Sequence, residues 1–175
     1  MKKCLIVVDY QNDFVNGSLG FPGAVELEQN IVNKIEQYRE SGDDVIFTFD
    51  THDEDYLSKR EGRYLPVPHC LLGTQGHELY GAVAEHFKYT DTAFNKNTFG
   101  SDALFEYLKT TSYESIELVG VVSNVCVFSN AVLARTAQPE AEIIVDAKCT
   151  ASHNPHLHTA ALDAMEGLQM QVLNR

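Results

Sequence analysis

Short apolar runs rich in β-branched residues alternate along this sequence with longer amphipathic segments, and this alternation constrains the fold more than any other feature. It is typical of strands that are connected by helices in a parallel sheet. The first run, CLIVV at positions 4–8, is apolar throughout, which predicts a strand buried on both faces. Helices must then cover both sides of the sheet. We therefore predict an α/β fold, a three-layer αβα sandwich with a mostly parallel sheet.

The periodicity predicts six strands and four helices in a chain whose 175 residues suit one domain, 1–175. The strands are expected at positions 4–8, 45–49, 87–90, 116–121, 143–145 and 170–173, of which 87–90 is the weakest. The helices are expected at 27–41, 102–109, 125–136 and 155–166. The Pro- and Gly-containing segment 51–81 shows no clear period, and a loop of that length in a compact domain is usually functional.

The charge balance argues against several classes of partner. Thirteen Lys and Arg face 25 Asp and Glu, a net charge of −12, so the average surface repels phosphate backbones and anionic lipids. The sequence contains no apolar run as long as a membrane span, and the run behind the opening MKK is too short for a signal peptide. We expect a cytoplasmic protein that binds neither nucleic acid nor membrane.

Polar residues follow the predicted strands at their carboxyl ends. Asp9 follows the first strand, Asp50 the second, residues 123–126 the fourth and Asp146 the fifth. In open parallel sheets these ends line the ligand crevice. Distant parts of the sequence are therefore expected to meet at one site.

Cys126 is the candidate nucleophile. In GVVSNVCVFSNAVLA, positions 120–134, a buried strand leads through a tight turn into a helix that begins near this cysteine. The positive end of a helix dipole favours the thiolate, and the same backbone amides can bind an oxyanion. The alternative is a buried structural cysteine. The four cysteines, at 4, 70, 126 and 149, form no CxxC pair, so reduced thiols are expected.

Asp9 and Lys96 are ambiguous as single residues. An aspartate after a strand is often only a turn or cap residue. Yet DYQNDF places three polar side chains at alternate positions, starting with Asp9, directly after an apolar strand. Lys96 is flanked by two phenylalanines, and such a lysine is either held in a pocket or, more commonly, extends to solvent along the surface.

Two histidines and an aspartate form a pattern typical of metal sites. Asp50 and His52, in FDTH, point the same way in an extended segment, and His69, in PHC, can close the set across the loop. One carboxylate with two imidazoles suits Zn, Fe or Mn with positions left open for water or substrate. The alternative is that these are solvated or capping residues of a polar loop.

Taken in order, these motifs resemble those of the isochorismatase-like cysteine hydrolase superfamily, and within it they are similar to the nicotinamidases. DYQNDF matches the opening DxQxDF motif, which implies that Asp9 is the general base. GVVSNVCV matches GVxxxxCV, which implies that Cys126 is the nucleophile. Lys96 matches the lysine before a SAF-like segment that is altered here to NTFGSD. The residues that match the family's metal ligands are Asp50, His52 and His69, with Glu61 as a further candidate.

The resemblance also implies the fold, the reaction and the cofactor. It implies six strands in the order 3-2-1-4-5-6, and a cis peptide bond between Val122 and Ser123 that aims the amides of Ser123 and Cys126 at an oxyanion. The implied reaction is hydrolysis of nicotinamide to nicotinate and ammonia through a cysteine thioester. The implied cofactor is one divalent metal ion, zinc first and iron or manganese next. A small amide is the implied partner, and relatives often form homo-oligomers.

One departure from the family concerns the substrate. Nicotinamidases commonly have WPxHC, in which the tryptophan helps to wall the pyridine ring, but this chain has no Trp and Pro66 stands in that place. The residues expected to line the substrate instead are Phe14, Leu19, Tyr64 and Val122, with Phe99 as an alternative.

Three other hypotheses stay open. A hydrolase of another small amide, carbamoyl compound or vinyl ether has the same catalytic groups, although such relatives often lack the DxH and PHC set. A catalytically silent association module is the second, but it has no physical need of a carboxylate, an ammonium and a thiol that converge at strand ends. A redox-sensing thiol protein is the third, and it lacks a resolving CxxC partner.

Overall fold

The computed structural model describes residues 2–175, and within them a six-stranded sheet is covered by helices on both faces. The strands are β1 (Cys4–Val8), β2 (Asp44–Asp50), β3 (Thr92–Lys96), β4 (Ser115–Val121), β5 (Glu142–Ala151) and β6 (Gln171–Leu173). Neighbouring strands are parallel in the order β3-β2-β1-β4-β5-β6. The predicted three-layer α/β fold and its strand order are confirmed.

Eight α-helices connect these strands in the described part of the chain. They are α1 (Asn12–Val15), α2 (Pro22–Val25), α3 (Glu28–Glu40), α4 (Arg60–Tyr64), α5 (Gly81–His86), α6 (Asp102–Thr110), α7 (Phe128–Ala137) and α8 (Pro155–Gly167). Two 3₁₀ turns, Tyr56–Ser58 and Gln75–His77, lie in the long loop, and a π-helical segment, Ser123–Val127, directly precedes α7. None of these helices is both long and apolar enough to span a bilayer.

The sheet separates two hydrophobic cores because successive strand residues point to opposite faces. Leu5 and Val7 of β1 pack with α3 in one core, while Ile6 and Val8 pack in the other core with residues of α6, α7 and α8. Burial on both faces explains why CLIVV is apolar at every position.

A glycine draws β4 close to β1 next to the site. Gly120 has φ +110, and a Cβ there would lie 2.1 Å from the Val8 carbonyl oxygen. Only glycine allows both this backbone conformation and this approach. The two strands can therefore run together up to the residues that carry Asp9 and Cys126.

Two of the predicted strands differ from those observed by more than one residue at an end. The prediction at 87–90 is wrong, since β3 begins at Thr92; it is an edge strand, TAFNK, in which only Ala93 and Phe94 are apolar, so its apolar signal is weak. β5 extends to Ala151, because its pairing with β4 resumes after an irregularity and continues to the end of β4. Asp146 therefore lies within β5, and its predicted place at a carboxyl end is wrong.

Candidate active site

Three strands and a turn bring four chemically active side chains together at the carboxyl edge of the sheet. Asp9 follows β1 with φ 47, a left-handed conformation that aspartate tolerates better than most residues. Asp50 ends β2 and Lys96 ends β3, and the strand register pairs these two residues directly. Cys126 lies in the π-helical segment that follows β4. The convergence expected at strand ends thus includes Asp9, Asp50 and Cys126 but not Asp146.

Lys96 is the centre of this group. Its Nζ lies 2.6 Å from Asp9 Oδ2, 3.2 Å from Asp50 Oδ1 and 3.6 Å from Cys126 Sγ. It also donates to the Thr98 carbonyl oxygen at 2.9 Å. The side chain is 1% exposed, so Lys96 is held in a pocket and does not extend along the surface. Two carboxylates compensate its charge, which is what burial of an ammonium requires.

The carboxylate of Asp9 is fixed at both oxygens. The Thr48 hydroxyl donates to Oδ1 at 2.6 Å, and the Lys96 ammonium is paired with Oδ2. Complete burial raises the pKa of Asp9 above its usual range, and Lys96 and Thr48 lower it only in part. A carboxylate with a raised pKa is a better base near neutral pH than an ordinary aspartate.

The thiol of Cys126 is almost fully buried, with 4% of the residue exposed. Burial raises its pKa well above the usual value, the Lys96 ammonium opposes that change, and the Asp9 carboxylate adds to it. Cys126 lies inside the π-helical segment, before α7 begins at Phe128, and its burial favours the thiol at rest. A base is needed to remove the proton.

Backbone amides of the same turn are the expected oxyanion donors. The amides of Val125 and Val127 donate to the Val122 carbonyl oxygen, at 3.0 and 3.2 Å. The cis peptide bond joins Val121 to Val122, at the end of β4, so the predicted Val122–Ser123 position is wrong by one residue. The oxyanion role of Ser123 and Cys126 stays a prediction.

A second cluster of ligating atoms shares Asp50 with the first. Asp50 Oδ2 lies 3.0 Å from His52 Nε2 and 3.3 Å from His69 Nε2. Glu61 Oε1 lies 3.9 Å from His52 Nε2 and 3.7 Å from His69 Nε2. One ligand atom from each of these four residues lies within 4.8 Å of all the others. Such spacings suit nitrogen and oxygen ligands about 2.0 to 2.2 Å from one ion.

The hydrogen bonding of His69 leaves its second ring nitrogen facing two carboxylates. His69 Nδ1 lies 2.8 Å from the Val67 carbonyl oxygen, which can only accept, so Nδ1 carries the proton. In a neutral ring, Nε2 then presents a lone pair toward Asp50 and Glu61, which are acceptors as well. A proton or a metal ion must lie between them. Burial lowers the pKa of His69, but the hydrogen bonds to Asp50 and the Val67 carbonyl, together with the charges of Asp50 and Glu61, leave the pKa raised. The donor set therefore fits a divalent ion.

Sequence reasoning did not assign two residues that position these groups. Gln11 pairs with the backbone of Asp50 in both directions: the Asp50 amide donates to Oε1 at 2.8 Å, and Nε2 donates to the Asp50 carbonyl at 2.9 Å. Asn130 Nδ2 donates to the carbonyl oxygens of Cys126, at 2.8 Å, and Phe99, at 3.1 Å. Asn130 follows Cys126 by four residues, a spacing that places two side chains on the same face of a helix. This spacing could have identified Asn130 from the sequence.

The expected substrate-lining residues lie in two places. A cavity of about 520 Å³ opens beside His52 and Glu61, and Tyr64 and Phe99 contribute to its wall. The others lie elsewhere: Phe14 is buried 5.3 Å from the His69 ring, between centroids, and Leu19 and Val122 are partly buried against the core that contains α3. Contact of any of them with a substrate stays a prediction.

Comparison with known proteins places this fold and site in a class. Residues 3–174 match the family model of the isochorismatase domain. The chain belongs to the isochorismatase family, which confirms the resemblance drawn from its motifs.

Individual relatives narrow the class. A Bacillus subtilis (strain 168) protein, "Uncharacterized isochorismatase family protein PncA", is 34% identical in an alignment 174 residues long that covers 93% of each chain. The crystal structure of nicotinamidase PncA from Bacillus subtilis is 34% identical, with a TM-score of 0.86 over 99% of this chain and 100% of that one. The pyrazinamidase of Pyrococcus horikoshii, in complex with zinc, is 23% identical with a TM-score of 0.86 over all of both chains, and shows the fold alone. The chain is a nicotinamidase-like hydrolase of this family.

Proposed function

We propose that this protein hydrolyses nicotinamide to nicotinate and ammonia through a thioester on Cys126. The observation that carries the proposal is the position of the Lys96 ammonium, 2.6 Å from the Asp9 carboxylate and 3.6 Å from the Cys126 sulfur. A carboxylate, an ammonium and a thiol in contact are the groups that activate a cysteine nucleophile. The 34% identity to a nicotinamidase supports the choice of amide.

The reaction begins with the transfer of a proton from Cys126 to Asp9. The pKa of each group is raised by burial, so the resting pair is a thiol beside a carboxylate of increased basicity. Lys96 stabilises the negative charge as it moves from oxygen to sulfur. The thiolate then attacks the carboxamide carbon.

Negative charge that develops on the carbonyl oxygen is met by the amides of Ser123 and Cys126. Loss of one donor from such an arrangement typically costs about 2.7 to 4 kcal/mol of transition-state stabilisation. Asp9 returns the proton to the leaving nitrogen, the C–N bond breaks, and ammonia departs. Water, deprotonated by Asp9, then attacks the thioester; the C–S bond breaks, the proton returns to sulfur, and the acid is released.

Asp50, His52, His69 and Glu61 would hold one divalent ion, with zinc as the first candidate. When bound, the ion would orient the substrate through its pyridine nitrogen and would not be needed to polarise the scissile carbonyl. Asp50 then has two partners, since its Oδ1 faces Lys96 and its Oδ2 faces the imidazoles. We infer that Asp50, which contacts both Lys96 and the imidazoles, fixes the position of the substrate ring relative to the Cys126 thiol. A cytoplasmic location and a homo-oligomeric assembly stay predictions.

Ammonia release tests the function most simply. The enzyme is incubated with nicotinamide, pyrazinamide, a set of small carboxamides and N-carbamoyl compounds, and the metal content of the same preparation is measured. We expect ammonia from the pyridine and pyrazine carboxamides. Turnover of carbamoyl compounds alone would favour the alternative amidohydrolase, and no turnover of any compound by metal-loaded protein would favour the silent module.

His52→Ala tests the ligand assignment. It should release metal and raise KM for nicotinamide, because an imidazole ligand is lost. His156→Ala, at an exposed position on α8, is the matched control and should change neither quantity. Unchanged metal content in His52→Ala would remove this residue from the ligand set.

A further inference from the structure

The π-helical segment that carries Cys126 is held from two sides by side chains. On the α7 side, Asn130 donates to the carbonyl oxygen of Cys126 at 2.8 Å. On the α8 side, the hydroxyl oxygen of Ser123 lies 2.8 Å from His158 Nδ1. Ser123 is completely buried, so water cannot replace this partner. We call the π-helical segment Ser123–Val127 the nucleophile turn. The Ser123–His158 bond joins the first residue of this turn to α8.

The first turn of α8 holds His158 in a fixed place. Pro155 begins the helix, and the Asn154 side chain accepts from the amides of His156 and Leu157, which caps it. His158 is partly buried, and burial together with the Arg175 guanidinium lowers its pKa. The ring is therefore neutral at pH 7, and Nδ1 either accepts from the Ser123 hydroxyl or donates to it, according to the tautomer.

We propose that His158 is a positioning residue, which holds the Ser123 end of the nucleophile turn so that its backbone amides face the developing oxyanion. The inference rests on the proposed function. Loss of the bond would leave a buried hydroxyl without a partner and allow the turn to shift. A displacement of about 1 Å at reacting groups can reduce a rate by about 100-fold, so a residue remote from the substrate can still matter for kcat.

Two substitutions of similar shape separate the hydrogen bond from the packing. His158→Leu fills the space but removes the polar atom. His158→Asn places an amide atom close to the position of Nδ1, and because the amide offers both a donor and an acceptor it can replace either tautomer. The measurements are kcat and KM for the amide that the wild type hydrolyses best, with the melting temperature of each variant.

We expect His158→Leu to lower kcat by about 10-fold with KM within about twofold, at a melting temperature that leaves the enzyme folded in the assay. His158→Asn should recover most of the lost kcat. In a Ser123→Ala background, His158→Leu should have little further effect, since the bond is already absent. An unchanged kcat in His158→Leu, an equal loss in His158→Asn, or a loss that only follows the folded fraction would overturn the inference.

Hydrogen exchange of residues 121–128 provides a test that needs no activity. His158→Leu should speed exchange of this peptide relative to the wild type, and His158→Asn should not. If the wild type hydrolyses no amide, the proposed function fails and exchange alone decides about His158. Equal exchange in both variants would overturn the positioning role even in an active enzyme.

Discussion

Two lysines of this protein, the buried Lys96 and the partly buried Lys34, each bridge two carboxylates, and only Lys96 lies at the candidate site. Lys96 lies 2.6 and 3.2 Å from its two carboxylate partners, and Lys34 lies 2.7 Å from Glu117 and 3.2 Å from Asp146. A buried cysteine accompanies each: Cys126 is in contact with Lys96, while Asp146 and Lys34 both influence the pKa of Cys149, which burial raises to about 12. We call the two groups the Lys96 cluster and the Lys34 cluster.

The difference between the clusters lies in their position on the sheet. The Lys96 cluster is at the carboxyl ends of β1, β2 and β3, beside the metal ligands and their cavity. The Lys34 cluster lies between α3 and the middle of β4 and β5, and its acceptors are filled by the Tyr38 hydroxyl and the Asn174 amide. A lysine, carboxylates and a thiol therefore do not define an active site. Their place at strand ends, where a ligand can enter, does.

Removal of the two thiols should give the largest contrast. Cys126→Ala should reduce kcat by about 10³-fold or more, since no other group can form the thioester. Cys149→Ala should leave kcat unchanged and lower stability by about 1 to 2 kcal/mol through the small cavity that it creates. Initial rates and urea unfolding of both variants are the measurements. Comparable rates in the two variants would contradict the assignment of catalysis to the Lys96 cluster.

Replacement of the lysines should separate catalysis from stability. Lys96→Met should lower kcat by about 100-fold, because Asp9 loses the cation that stabilises the moving charge. Lys34→Met should leave the kcat of the folded enzyme unchanged but lower its free energy of unfolding by about 2 to 3 kcal/mol. This loss is smaller than the about 3 to 5 kcal/mol typical of a fully buried ion pair, because the Lys34 side chain is 21% exposed. Activity per folded molecule is measured by titration of active sites. A Lys34 variant with low kcat, at full folding, would contradict the assignment.

Each cluster also has one hydroxyl that donates to a carboxylate, Thr48 to Asp9 at 2.6 Å and Tyr38 to Glu117 at 2.8 Å. Thr48→Val should lower kcat by about 10-fold through a less well oriented base, and Thr48→Ser should restore it. Tyr38→Phe should cost about 1 kcal/mol of stability and nothing in kcat. Steady-state kinetics with chemical denaturation will distinguish these outcomes, and a Thr48→Val enzyme with normal kcat would show that Lys96 alone orients Asp9.

The Lys34 cluster should also give the protein a pH dependence of stability. Burial raises the pKa of Asp146, but hydrogen bonds from Asn174 and the Lys148 amide, with Lys34, outweigh it and leave the pKa below its usual value. A group with a depressed folded-state pKa stabilises the fold above its unfolded pKa, about 3.9, and loses that contribution as pH falls through the folded value.

Asp146→Asn should therefore be less stable than the wild type by about 1 to 2 kcal/mol at pH 7, and this difference should shrink below about pH 4. Urea unfolding from pH 7 to pH 3 measures it. A difference that stays constant down to pH 3 would mean that the charge of Asp146 does not stabilise the fold.

The sequence pattern predicted the bounds of those strands and helices whose structure depends mainly on their own residues. β1 matches its predicted bounds, and α6 and α8 each differ from prediction by one residue, because apolar periodicity and capping are local signals. The position of β3 was not predicted correctly, since its backbone pairs with β2 although only two of its five residues, Ala93 and Phe94, are apolar. β5 was underestimated because its extension depends on pairing with β4.

The candidate site shows the same division. Motifs indicated which residues carry the chemistry, but the burial of Lys96 depends on Asp9 and Asp50, which are distant in sequence. The hydrogen bond between Ser123 and His158 joins residues 35 positions apart, and no local pattern marks it. Long-range contacts of this kind decide the pKa values and the orientation of the groups, and they appear only in three dimensions.

Direct detection of the covalent intermediate tests the central claim most closely. The enzyme is mixed with nicotinamide, quenched in acid within the first turnovers, and its peptides are mapped by mass spectrometry. The account predicts a nicotinoyl group on the sulfur of Cys126 that disappears as ammonia release is completed. Turnover by the wild type with no acyl group on Cys126 at any time would contradict it, and so would ammonia release at an undiminished rate by a Cys126→Ala enzyme.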